Sequence, residues 1–279
     1  MKKNFSIATI VLILVVAPAL LSSCKNNETK IGVAVPDYYA ISEFYFDDDF
    51  GDFKEFYQDT YNWYKSIEDK DGVYLAHNAC FDDDVLQAWR DYNVYDSVPD
   101  NAFWYFTVSP SYLKQMGVDV NAGEIEEAKN GVRLYLVPDT MADGEAKSME
   151  SFLKENAVYS ASDSDIKTTF TENLEILIIK YMPNEKYFTF PSAQGEELEA
   201  AAPVIYICTS ENMKYFESES LIATGVDSYI KFIDEATMQK YTADPSIDKY
   251  SLKFTRLSDI YSEASKHKRV DKGISAVFN

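Results

Sequence analysis

The first 24 residues constrain this chain more than any other stretch, because they fix where the remainder folds and how much is left to fold. Lys2 and Lys3 precede an apolar run from Ile7 to Leu21, and Leu21-Ser22-Ser23-Cys24 closes it. A basic n-region, a short apolar h-region and a small-residue site make a secretory signal. As a membrane helix the run is short. Its fifteen positions, Thr9 and Pro18 among them, rise roughly 22 Å against a hydrocarbon core of about 30 Å. An uncleaved anchor is the alternative reading, and either one places residues 25 onward on the same side of the membrane. No second apolar run of spanning length follows, so the body is expected to be soluble.

A branched aliphatic, two small residues and a cysteine resemble the lipobox of bacterial lipoproteins. The resemblance implies that Cys24 is lipidated and becomes the first residue of the mature chain, held at the cell envelope through its lipid on the extracytoplasmic face. Residues 1–23 are then the signal, 24–30 a polar tether and 31–279 a soluble extracytoplasmic domain.

That domain is long enough for a substantial core. Its charge narrows the partners: 46 acidic against 26 basic residues give −20 overall, and the balance is more negative still without Lys2 and Lys3. Such a chain repels phosphate, so nucleic acid is not an expected partner. The hydrophobic fraction of 46% argues for a folded body. Its 21 tyrosines suit ordinary core and strand filling as well as half-wetted surfaces. Beyond Cys24 the cysteines are Cys80 and Cys208, which could form one disulfide outside the cell or stay as two buried thiols.

The periodicities interleave strands and helices without a regular βαβ rhythm, which predicts an α+β fold. Asp52 and Glu55 form a capping-box pattern opening a helix whose stripe is Phe53, Phe56, Tyr57, Thr60, Tyr64 and Ile67. Helices are also expected at Asp82–Tyr92, Glu145–Tyr159, Asp227–Asp234 and Ser258–Lys266, with a short turn of helix after Ser109-Pro110. Strands are expected at Ile31–Val35, Gly72–Ala76, Ala102–Val108, Val132–Val137, Asn173–Tyr181, Val204–Cys208 and Tyr250–Phe254. The stretch near 174–181 is the most apolar, Leu-Glu-Ile-Leu-Ile-Ile-Lys-Tyr. It is expected at the centre of a mixed sheet with helices packed on it, and Lys186–Phe190 is expected to pair back on it as a hairpin.

No motif discloses a chemistry. Asp69-Lys70-Asp71-Gly72 fails as a calcium loop, because Ile67 and Asn78 stand where ligands are required. Asp47-Asp48-Asp49 and Asp82-Asp83-Asp84 read as helix-start charge. His77 with Cys80 would need further ligands to hold a metal, and His267 is the only other histidine. No nucleophile elbow, phosphate loop or dinucleotide fingerprint is present, and no metal or cofactor is expected. Trp63, Trp89 and Trp104 could stack on sugars, but two of them sit on amphipathic helices where packing is the default. The basic cluster Lys266-His267-Lys268-Arg269 with Lys272 reads as a solvated tail that could touch anionic headgroups.

From about Ala102 the order of segments carries a likeness. An aromatic strand precedes Tyr112-Leu113-Lys114, and a strand ends at Val137-Pro138. Tyr187-Phe188-Thr189-Phe190, Pro203-Val204-Ile205-Tyr206, Thr209, Glu211-Asn212 and Ile260-Tyr261-Ser262 follow. The chain resembles, over some 160 residues, the extracytoplasmic domain of bacteriocin-associated integral membrane proteins, an immunity family found with ABC transporters. Those proteins continue into several membrane helices, which this sequence lacks. The resemblance implies the outer domain alone on a lipid anchor: a non-enzymatic binding or accessory module, with an ABC-type permease or a peptide ligand as partner and no catalytic residues to carry over. The rival expectation is a secreted-side hydrolase acting on cell wall or polysaccharide.

Overall fold

The computed structural model describes residues 36–45, 53–183, 186–190 and 199–262. Cys24, Ile31–Val35, Asp47-Asp48-Asp49 and the basic cluster from Lys266 lie outside the described residues. In chain order the elements are β1 (Tyr39–Glu43), α1 (Phe53–Ile67), β2 (Val73–Phe81), α2 (Asp83–Asp91), β3 (Phe103–Val108), α3 (Pro110–Gln115), α4 (Ala122–Lys129), β4 (Arg133–Pro138), α5 (Asp143–Val158) and α6 (Thr169–Asn173). They continue with β5 (Ile176–Tyr181), β6 (Lys186–Phe188), β7 (Glu199–Ala201), β8 (Val204–Ile207), α7 (Tyr215–Ser220), β9 (Ile230–Phe232), α8 (Glu235–Thr242), α9 (Pro245–Asp248) and β10 (Lys253–Arg256).

Local chemistry starts several of these where the sequence predicts. The Asp82 carboxylate accepts from the Val85 amide at 2.9 Å and caps α2. The Ser109 hydroxyl accepts from the Tyr112 amide, with Pro110 in the first turn of α3. A chain reversal at Gly131, φ +99°, delivers the backbone into β4; a Cβ there would strike the Thr169 side chain.

The fold is α+β. Among the described residues eight strands form one mixed sheet in the order β10-β1-β9-β2-β3-β8-β4-β5, and β6 and β7 form a separate pair. Pairings β3–β8 and β4–β5 are parallel and the rest are antiparallel. The parallel β4–β5 pair needs a crossover, which α5 and α6 supply. Every residue of β4 and β8 is buried, because both faces of the sheet are covered. One face carries Tyr135, Val137, Val204, Tyr206 and Phe232 beneath α1 and α5. The other carries Leu134, Leu136, Ile205 and Ile207 beneath α3, Ala128 of α4 and the β6–β7 hairpin.

Four expectations are corrected. The apolar strand near 174–181 is not central: among the described residues β5 pairs with β4 alone and forms the sheet edge. Its side chains alternate between the two cores, Ile176 and Ile178 to one and Leu177 and Ile179 to the other. An apolar run on both faces therefore reports covering helices, not a neighbour on both edges. Residues 186–188 do not fold back on that strand; they pair with 199–201 and bury Tyr187 against Phe106 on the second face. The Asp227–Asp234 stretch holds strand β9 in place of a helix. Ile230 and Phe232 enter one core while Lys231 faces the other, a period-two alternation set by insertion between β1 and β2. Finally, Cys208 is a free, fully buried thiol and does not pair with Cys80. Its amide bonds to Val108, whose strand partner on β2 is Ala76. Cys80 lies four residues further along that strand, about 13 Å away, beyond the roughly 7 Å reach of a disulfide.

Candidate functional site

The densest chemistry lies under one surface, and it is built from the segment after β8. Asn212 ties that segment to the sheet. Its Oδ1 accepts from the Thr209 amide at 2.8 Å, and its Nδ2 donates to the Val132 and Ile207 carbonyls at 3.0 and 2.9 Å. Arg133, the first residue of β4, points into the same core and is 1% exposed. Its guanidinium donates to Glu217 at 2.6 and 3.2 Å, to Tyr135 Oη at 2.7 Å, to Tyr206 Oη at 3.1 Å and to the Asn212 carbonyl at 3.1 Å. It also lies 3.9 Å from the Tyr206 ring centroid. Burial opposes both charges of the pair. Even so, Glu217 holds the Arg133 guanidinium well above its usual range, and Arg133 holds the Glu217 carboxyl below the usual carboxylate range.

This network fixes the start of α7. Glu217 accepts from the Lys214 amide at 2.9 Å. The Lys214 ammonium runs inward and donates to the Asn156 and Tyr159 carbonyls at 2.5 and 3.2 Å, satisfying the C-terminal end of α5. Burial, then the nearby Arg133, pulls the Lys214 pKa down to about 7.

The surface above is aromatic. Phe216 is 42% exposed, Tyr159 40% and Phe53 54%. Tyr215 and Tyr57 are half-buried. The Tyr215 and Phe216 rings lie 4.2 Å apart, Phe53 and Tyr57 6.2 Å, and Tyr159 meets Tyr95 edge-on at 5.3 Å. Three elements contribute, the first turns of α1, the end of α5 and α7, and α7 packs on α1. Acids border the rings. Glu219 follows Tyr215 and Phe216 by four and three residues, on the same side of α7. Asp163 and Asp165 follow Tyr159, and Lys54 joins Asp165 at 3.0 Å, bridging to α1. Burial and then Asp165 push the Glu219 carboxyl above its usual range.

A second feature is a cleft of about 90 Å³ between Glu68, Asp69, Pro110, Lys129 and Thr209, small beside substrate pockets on the order of 300–1,000 Å³. Glu68 is already bound there, accepting from the Ser210 amide at 2.8 Å and from its hydroxyl at 2.5 Å. Lys129 pairs with Asp69 at 2.5 Å at the same place.

The residues singled out from sequence are scattered. His77 stacks on Tyr229 at 4.3 Å, and burial, then Lys231, pulls its pKa down to about 3. Cys80 stands opposite Trp104 on the neighbouring strand. Trp63 is core and donates to the Tyr241 carbonyl at 2.8 Å. Trp89 stacks on Phe152 and Trp104 meets Phe106 edge-on. Asp82 is the α2 cap and Asp69 the partner of Lys129. Among the described residues no group of three or more His, Cys, Asp or Glu is placed to hold a metal, and no helix is long and apolar enough to cross a membrane. No known family model, curated protein or solved structure matches this chain.

Sequence reasoning did not find the aromatic surface. Its one signal was the apolar stripe of α1, whose first residue, Phe53, continues the stripe of Phe56, Thr60 and Tyr64 into solvent, with Tyr57 half-buried against the core.

Proposed function

We propose that this chain is a membrane-tethered extracytoplasmic lipoprotein acting as a non-enzymatic binding or accessory module, with Phe53, Tyr57, Tyr159, Tyr215 and Phe216 as its contact face. The observation that carries the reading is this cluster of exposed rings, fixed from below by the Arg133–Glu217–Lys214 network. Rigid aromatic side chains bind with little entropy loss, and a contiguous apolar patch on a folded domain marks an interaction site. The Leu21-Ser22-Ser23-Cys24 pattern supports a lipid anchor at Cys24. The likeness to the outer domain of bacteriocin-associated membrane proteins supports a place beside an ABC-type permease, in immunity to an antimicrobial peptide.

The test uses the full chain in a bacterial envelope. Wild type should take up a metabolic palmitate analogue, and Cys24→Ala should lose it. A photo-reactive phenylalanine analogue at position 216 should give a discrete adduct with an envelope protein. The same probe at Asp100, whose side chain is 95% exposed, should not. Undiminished label in Cys24→Ala removes the anchor, and equal adducts at both positions remove the contact face.

A further inference from the structure

The face so assigned combines three features: partly exposed rings, carboxylates at their border, and cations already committed elsewhere. Phe216 and Tyr159 are about two-fifths exposed and Phe53 just over half. Glu219 lies on the Tyr215–Phe216 side of α7, and Asp163 and Asp165 are exposed beside Tyr159. Of the nearby lysines, Lys54 is held by Asp165 at 3.0 Å, Lys167 donates to the Ser162 and Ser164 carbonyls, and the Lys214 ammonium is buried on backbone carbonyls. Lys214 also lies 5.6 Å from the Phe216 ring centroid and the Tyr215 ring 4.2 Å from it, and 42% of Phe216 remains exposed.

We propose that this face takes a cationic peptide segment, its lysine or arginine side chains lying against the Phe216, Tyr215 and Tyr159 rings with their charges directed at Glu219 and Asp163. The proposal rests on the binding-module reading and names the chemistry of its partner. An ammonium or guanidinium over an aromatic face gains attraction from the ring quadrupole, and a carboxylate at the ring edge adds a charge-assisted hydrogen bond. The net charge of −20 raises the local concentration of any cationic chain. The same charges oppose an anionic membrane surface or a phosphorylated ligand, so the complementarity favours a basic peptide over a lipid headgroup.

The test measures fluorescence anisotropy of a labelled twelve-residue peptide alternating arginine and alanine, titrated with the full chain in detergent micelles. Its citrulline counterpart is titrated in parallel, and binding of the chain to vesicles rich in anionic lipid is measured separately by co-sedimentation without peptide or detergent. Phe216→Ala with Tyr159→Ala should weaken peptide binding at least tenfold and Glu219→Gln several-fold, while Glu126→Gln on the remote α4 should leave it unchanged. Circular dichroism melts of each variant separate lost binding from lost folding, and the two single ring variants replace the double variant if it melts early. Equal binding by all variants would show diffuse attraction to an acidic chain and overturns the proposal. So do equal binding of the citrulline peptide, absence of peptide binding, and co-sedimentation of the chain with anionic vesicles that Phe216→Ala with Tyr159→Ala abolishes. A failed peptide titration beside a position-216 envelope adduct would remove the cationic ligand and leave the binding-module reading standing.

Discussion

Arg133 and Glu217 show what a single buried pair does in this fold. Neither is solvated: Arg133 is 1% and Glu217 6% exposed. Between them they organise Tyr135, Tyr206, Asn212 and the start of α7. Removing one partner strands the other charge, which in buried pairs costs about 3–5 kcal/mol, more than the pair itself contributes. Glu217→Gln should therefore lower stability by about that amount, while Arg133→Met with Glu217→Leu should cost clearly less than the two single changes added together. Urea melts of Glu217→Gln, the double variant and the single variants Arg133→Met and Glu217→Leu check this, and strict additivity would show that the residues do not act as a pair. None of this was legible beforehand. Arg133 reads as an ordinary strand-start cation and Glu217 as one acid among 46, because 84 residues separate the partners and no local pattern links them.

At the scale of elements, caps and periodicities were readable because their causes lie within a few residues. Ser109 and Asp82 each bond an amide three residues on, and α5 spans Asp143–Val158 against an expectation of Glu145–Tyr159. Strand order was not readable. A strand's alternation states which faces are covered, whereas its edges are set by backbone groups that every strand presents alike. The most apolar run thus lies at the sheet edge as β5, and the fully buried β4 lies inside it. Leu136→Ala, at a wholly buried position of β4, should cost about 2–5 kcal/mol through lost transfer energy and a cavity. Ile178→Ala, half-buried on β5, should cost distinctly less. The urea midpoints of the two variants decide the order, and an Ile178→Ala midpoint below that of Leu136→Ala would contradict the edge placement.

Across the whole molecule the buried titratable groups bound the pH range of stability. His77 is a base whose pKa falls from about 6.5 when unfolded to about 3 when folded. The unfolded chain binds more protons in that window, so this contribution is complete above about 6.5 and is lost as the pH falls toward 3. Burial raises the phenols of Tyr38 and Tyr95 to about 12, against about 10 unfolded. Here the folded chain binds more protons, so stability present below pH 10 is lost as the pH rises through 12. Melting temperature against pH should show both limbs. His77→Phe should flatten the acid limb and leave the alkaline one, where tyrosinate absorbance should appear together with unfolding. An acid limb unchanged in His77→Phe would assign it to carboxylates instead.

What the sequence determined by itself is what short-range physics controls: the α+β class and the positions of most helices and strands. What only the tertiary structure decided is what depends on distant neighbours. It placed the 174–181 strand at the edge, turned Asp227–Asp234 into a strand between β1 and β2, kept Cys208 apart from Cys80, and joined Arg133 to Glu217. It also decided which apolar residues the core reaches. Phe53 and Phe56 lie on one helical stripe, yet Phe56 is fully buried and Phe53 is 54% exposed. The sequence carries the same hydrophobic signal at both positions. Burial depends on whether another element lies across that turn of the helix, and that is settled by packing among segments far apart in the chain.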